Sequence, residues 1–178
     1  PSKSDPEAWA GNDVPWFRMD DIRENGRKLL RAKQYITEEA VKGGGLFEAG
    51  SFILATTATI GEHAWLIADS LANQRFTNLK IRKSLKNTLS AHFFFYYLYI
   101  IDEYCKRNTK TGTFAAVDIY DLKAFKVPTP LLREQEAIAD ILSNMDRGIE
   151  ALEQEIKKYR QMKEGAMEEL LTGKVRLL

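Results

Sequence analysis

A single cysteine, Cys105, among 178 residues excludes an internal disulfide and agrees with a reducing compartment. The two histidines, His63 and His92, are with Cys105 too few and too scattered for a zinc ligand set or a Cys–His nucleophile pair. None of the five prolines is adjacent to another, so the Asn/Asp-Pro-Pro-aromatic step of amino-methyltransferases is missing. The apolar run Ala91 to Ile101 is too short to span a bilayer and stops at Asp102 and Glu103, and no signal-peptide pattern opens the chain. A cytoplasmic protein with no membrane association is expected. Two fragments of catalytic motifs are present but incomplete. Gly45 to Gly50 has P-loop spacing, yet Ser51 stands where a lysine must reach phosphate, so this segment reads as a turn. Asp121-Leu-Lys123 has the acid-x-Lys spacing of metal-dependent nucleases without the Pro-Asp that precedes it there.

What is present is a long periodic segment after a mixed one. From Pro128 onward apolar residues recur at Ile138, Ile141, Met145, Ile149, Leu152, Ile156, Tyr159, Met162, Ala166 and Leu170, mostly three or four apart, with charged and amide residues between them. Pro130 suits a helix start, and Gly173 followed by Lys174 suits its end. A helix over Leu131 to Thr172 would run roughly 60 Å. A stripe of that length exceeds what a small neighbouring domain can cover, and its mean spacing near 3.5 is that of a coiled coil. The successive steps of four from Ile141 to Met145 to Ile149 break a strict heptad. Gly148 and Gly165, costly inside a helix, mark places where another backbone could approach. The alternative is a C-terminal helix folded back into an ordinary bundle.

Composition permits one good core: 44% of residues are hydrophobic and 29% charged. The division expected is a compact domain over residues 1–130 and a long helix over 131–178. Charge is unevenly shared. Residues 131–178 carry 8 Lys and Arg against 10 Asp and Glu, leaving 18 against 15 before them. Two stretches hold the excess: Arg75, Lys80, Arg82, Lys83 and Lys86 in one, Lys106, Arg107 and Lys110 in the other, neither with an acid. Such clusters neutralise phosphates, while Asn78 and its polar neighbours can bond base edges. Either stretch alone could equally be a solvated loop.

Pro130, Glu134, Gln135 and Ile138, the periodic helix, and the closing Leu-Leu-Thr-Gly-Lys-x-Arg-Leu from Leu170 to Leu177 resemble a conserved region of DNA-specificity subunits of type I restriction-modification systems. The preceding segment resembles that family's target recognition domain at Pro1-Ser2, Trp16, Asp20-Asp21-Ile22, Gly50, Ala58-Thr59-Ile60-Gly61, Asn73-Gln74-x-Phe76, Gly112 and Ile119. The family usually carries two recognition domains and two conserved helices; this chain has one of each and is expected to lack the strand before Pro1. The resemblance implies a non-catalytic subunit that reads one half of a bipartite site in double-stranded DNA. Its long helix would dock methyltransferase subunits and, through the complex, a restriction/translocase subunit, and would pair in an antiparallel homodimer or with a second repeat. S-adenosylmethionine and ATP would sit on those partners, with no cofactor in this chain. A coiled-coil adaptor without DNA binding is the rival reading, and a small nuclease a third.

The expected architecture is α/β (α+β). A helical turn is expected at Pro6 to Ala10, strands near Gln34 to Ile36, at Ser51 to Ala55, at Ala64 to Ala68 and near Gln74 to Phe76, and a helix within Lys86 to Lys106. Its crowded aromatics, Phe93 to Tyr97, Tyr99 and Tyr104, favour a buried core helix over a nucleotide pocket. A helical turn at Val117 to Leu122 and a last strand at Phe125 to Val127 complete the reading.

Overall fold

The computed structural model describes residues 4–109 and 116–177. Pro1, Ser2, Lys110 and Gly112, singled out in the sequence, lie outside the described residues. The chain divides into two compact units, Pro1–Glu136 and Ala137–Leu178.

In the first unit, β1 (Val14–Phe17) pairs antiparallel with β3 (Tyr35–Ile36) and parallel with β6 (Leu71–Ala72). A four-stranded sheet has the order β2-β5-β4-β7, formed by Lys28–Leu29, His63–Leu66, Phe52–Ala55 and Phe76–Leu79. In it β2 runs parallel to β5, while β4 is antiparallel to both its neighbours. Helices α1 (Met19–Asn25), α2 (Ala91–Arg107) and α3 (Ile119–Ala124) cover the sheets, and α4 (Leu132–Leu171) begins in this unit.

All four residues of β4 are buried, because its two faces serve two cores. Alternation along the strand sends Ile53 and Ala55 toward a cluster with Met19 and Ile22 of α1 and with Phe17, Leu29, Leu66 and Phe76. Phe52 and Leu54 meet Phe95, Leu98, Ile101 and Cys105 on α2. Each large apolar side chain so buried contributes about 1.5–3 kcal/mol. A third, smaller cluster joins Ala8, Val14, Ile36 and Ala40, with the Trp9 and Trp16 rings at its edge. The aromatic helix α2 is thus a core helix: its buried positions fall mostly three or four apart, and Ser90 caps it by accepting from the Phe93 N–H. Burial pushes the Cys105 thiol up to about 11, which keeps it protonated and inert.

Two expected strands need correction. Asn73 to Arg75 form a turn instead, with the Asn73 side chain accepting from the Arg75 N–H, and the strand starts at Phe76. Phe125 and Val127 form no strand; their side chains pack onto the α2 side of the core, the Phe125 ring 4.7 Å from Tyr104. Helix α1 has no counterpart in the sequence reading, since only Met19 and Ile22 of its seven residues are apolar.

Gln135, fully buried in the first turn of α4, explains part of the motif around Glu134. Its Oε1 accepts from the Ser90 N–H at 2.9 Å, and its Nε2 donates to the carbonyls of Thr88 at 2.8 Å and Pro130 at 2.7 Å. One amide therefore ties the start of α4 to the capping segment of α2. In the second unit α4 continues without a break through Gly148 and Gly165, and among the described residues, apart from the helix's own adjacent backbone, nothing lies within 4 Å of a Cβ built at either. It closes on left-handed Gly173, whose N–H meets the Leu170 carbonyl.

Replacing Gln135 with Ala removes three hydrogen bonds between a buried amide and main-chain groups, and should lower the stability of the first unit by about 1–3 kcal/mol. Urea unfolding followed by tryptophan fluorescence reads this as a lower midpoint at unchanged slope. An unchanged midpoint would show the tie to be dispensable.

Candidate nucleic-acid interface

Arg82 to Lys86 precede α2, while Lys106 and Arg107 lie in the last turn of this 17-residue helix, which is about 25 Å long. Arg82, Lys83 and Lys86 flank or form a turn of 3-10 helix at Lys83–Leu85, and Lys80 is ion-paired with Glu48. Lys106 pairs with Glu103 at 2.8 Å, which raises the lysine's pKa and lowers the glutamate's, and Arg107 is exposed beside it. Asn78 is placed differently from the sequence reading. Both N–H donors of its amide are engaged inside the fold, with Ser51 Oγ at 3.0 Å and the Phe52 carbonyl at 3.1 Å. Strand pairing against β4 turns it inward, which local composition does not reveal.

Arg75 stands apart from the rest of its stretch, at the other end of β7 from Lys80 and roughly 16 Å away. There it joins a groove of about 1050 Å³ that no single sequence segment announces. Arg18, Arg23, Lys33 and Arg75 line this groove against one acid, Asp20, with Asn12, Gln34, Asn73 and Gln74 among them. Trp9 and Trp16, stacked edge to face at 5.4 Å, also contribute. Four cations, four amides and aromatic edges are the side-chain set that meets phosphates and base edges. Most of the lining side chains are polar or charged, unlike the predominantly apolar walls of small-molecule sites.

Local physics fixes the groove's walls. Arg18 leads into α1, and its N–H is held by Oδ2 of Asp21 at 2.8 Å, while Oδ1 of the same buried carboxylate accepts from the Lys33 N–H at 2.8 Å. The Gln34 carbonyl accepts from the Trp16 N–H at 2.9 Å, and the Arg75 carbonyl from the Thr56 N–H at 3.0 Å. The Ala58-Thr59-Ile60-Gly61 motif also acquires a reason. Gly61 has φ 82°, and a Cβ there would stand 2.7–2.9 Å from the Lys106 stem and the Asp102 carbonyl. Ala58, a non-glycine residue at φ 64°, holds a left-handed conformation that costs about 1–2 kcal/mol and presents Thr59 on the groove.

Behind the sheet lies a charged cluster that bonds into the fold. Arg27 meets Glu62 at 2.8 Å and Asp102 at 3.4 Å, and its guanidinium covers the Tyr99 ring at 4.8 Å. His63 Nδ1 lies 2.5 Å from Asp102. Desolvation lowers the His63 pKa and raises that of Asp102, and the hydrogen bond between them opposes both shifts. Among the described residues no group of His, Cys, Asp and Glu is arranged to hold a metal ion.

A family model described as type I restriction modification DNA specificity domain matches residues 1–159, so the chain belongs to that family. It is 46% identical over 147 residues to the type I restriction enzyme EcoprrI specificity subunit of Escherichia coli, a match covering 83% of this chain and 37% of that protein. The MjaIX specificity subunit of Methanocaldococcus jannaschii is 31% identical over 156 residues, covering 84% of this chain and 35% of the relative. The chain thus spans well under half the length of these relatives. Among solved structures, one describing assembly and conformational transition of a type I R-M system aligns with a TM-score of 0.66 at 19% identity, over 90% of this chain and 39% of that one. The S subunit from M. genitalium aligns with a TM-score of 0.57 at 17% identity, over 93% and 40% respectively. These two likenesses establish the fold.

Proposed function

We propose that this chain is a DNA-reading portion of a type I restriction-modification specificity subunit, non-catalytic in itself, that recognises one half of a bipartite duplex site. The observation that carries the reading is the groove in which four cations and four side-chain amides converge against a single acid. The cations from Lys80 to Lys86 and at Lys106 and Arg107 extend the positive surface and serve as phosphate contacts. Support from the family is direct, because the relatives are named specificity subunits.

The helix has a separate task. Ile141, Met145, Ile149, Leu152, Ile156, Tyr159, Met162 and Leu170 are all exposed along α4, and such a stripe is satisfied by a second helix. That partner is the conserved helix of a second repeat or of a second copy in an antiparallel homodimer. The pair spaces the two half-sites and provides the surface on which methyltransferase subunits dock. Those subunits bind S-adenosylmethionine and modify adenine, and the restriction/translocase subunit uses ATP. The assembly acts in the cytoplasm; among the described residues no helix is long and apolar enough to cross a membrane.

Binding of the full chain to random-sequence duplex DNA across a salt series tests the reading. A straight fall of log affinity with log salt is expected, and replacing Lys80, Arg82 and Lys83 with Ala should flatten the slope by up to about 0.9 for each phosphate no longer neutralised. Absence of duplex binding at low salt favours the adaptor reading. For the helix, Leu152→Glu with Ile156→Glu should abolish pairing and pull-down of methyltransferase subunits while the first unit keeps its melting profile. Unchanged pull-down would remove α4 as the docking element.

A further inference from the structure

On the groove wall a terminal nitrogen of Arg18 donates to Gln34 Oε1 at 3.0 Å. We propose that Arg18, steadied by Gln34, is a specificity-determining residue that selects a guanine in the major groove; this rests on the DNA-reading function above and gives that surface a base. Guanine offers N7 and O6 side by side as acceptors, and the planar fork of a guanidinium matches both. One of the five Arg18 donors is engaged by Gln34, which fixes the plane of the fork and leaves other donors for the base. Orientation before binding reduces the side-chain freedom lost on docking.

The side-chain bond to Gln34 distinguishes Arg18 on this groove, and the main chain beneath the pair is held as well. Arg18 and Lys33, the residue before Gln34, hang by their N–H groups from the two oxygens of one buried carboxylate, Asp21. Arg18 and its support Gln34, whose carbonyl accepts from the Trp16 N–H, therefore start from held main-chain points, as discrimination between bases requires. Arg23 and Lys33 on the same groove face carboxylates, Asp20 at 3.9 Å and Glu24, and the cations from Arg82 to Lys86 sit on an exposed turn suited to phosphates.

The test is selection from a random duplex pool by the full chain, then competition between the recovered duplex and the same duplex with its guanine replaced. Wild type should recover a motif with a constant guanine. Arg18→Lys keeps the charge and loses the fork, so the preference for the guanine duplex should fall about 5- to 150-fold, a loss not matched on random duplex. Arg18→Ala should lose the same preference. Thermal melts check the fold, which uses the Arg18 main-chain N–H at the start of α1. Selectivity that survives Arg18→Lys, or equal losses on selected and random duplex, overturns the assignment and leaves the proposed function standing. Wild type that binds no duplex removes both.

Discussion

One buried carboxylate sets the geometry of the groove proposed to read DNA. Asp21 is 1% exposed, and its two oxygens accept from the main chain at Arg18 and at Lys33, joining the corner between β1 and α1 to the segment entering β3. A carboxylate in that position is costly to bury without partners, and two N–H donors near the start of a helix offset the cost. The arrangement turns two sequence-distant segments into one wall. The rest of the groove follows from hydrogen bonds of the same kind, through the Asn73 side chain to the Arg75 N–H and through the Trp16 N–H to the Gln34 carbonyl.

The second constraint is β4. Because both its faces are buried, α1 with the groove wall lies over one side and α2 over the other. The cluster of Arg27, Glu62, His63 and Asp102 then ties β5 to α2 by polar contacts, and Gln135 ties the α2 cap to the first turn of α4 by three hydrogen bonds. The groove wall and the start of α4 are thus both supported by polar contacts of buried side chains on the first unit. Nothing comparable covers the apolar stripe of α4 among the described residues, which is why a second helix belongs to the functional account.

Legibility in the sequence followed how local each signal was. SFILA and AWLIA are short apolar runs bounded by turn residues, and they fold as β4 and β5. The 40 residues of α4 are periodic throughout, so its existence and ends could be read to within a residue. The two-residue strands β2 and β6 carry no period to detect, and α1 is hidden by its own polarity. Charge density revealed the 75–86 and 106–110 stretches because charge is additive along the chain. The groove was invisible for the opposite reason: Trp9, Arg18, Gln34, Thr59 and Arg75 come from separate segments and meet only after the sheets pair. Asp20-Asp21-Ile22 and Asn73-Gln74-x-Phe76 carry the family resemblance but no role that the sequence alone assigns; the fold supplies one in the Asp21 clasp and the Asn73 turn.

The most direct measurement is amide hydrogen exchange of the full chain with and without saturating duplex DNA. The expected result is slowed exchange at Asn12, Arg18, Lys33 to Gln34 and Asn73 to Arg75, with the amides of Ala137 to Leu171 unchanged. Protection confined to α4, or none in the groove segments while DNA is bound, would contradict a DNA-reading groove.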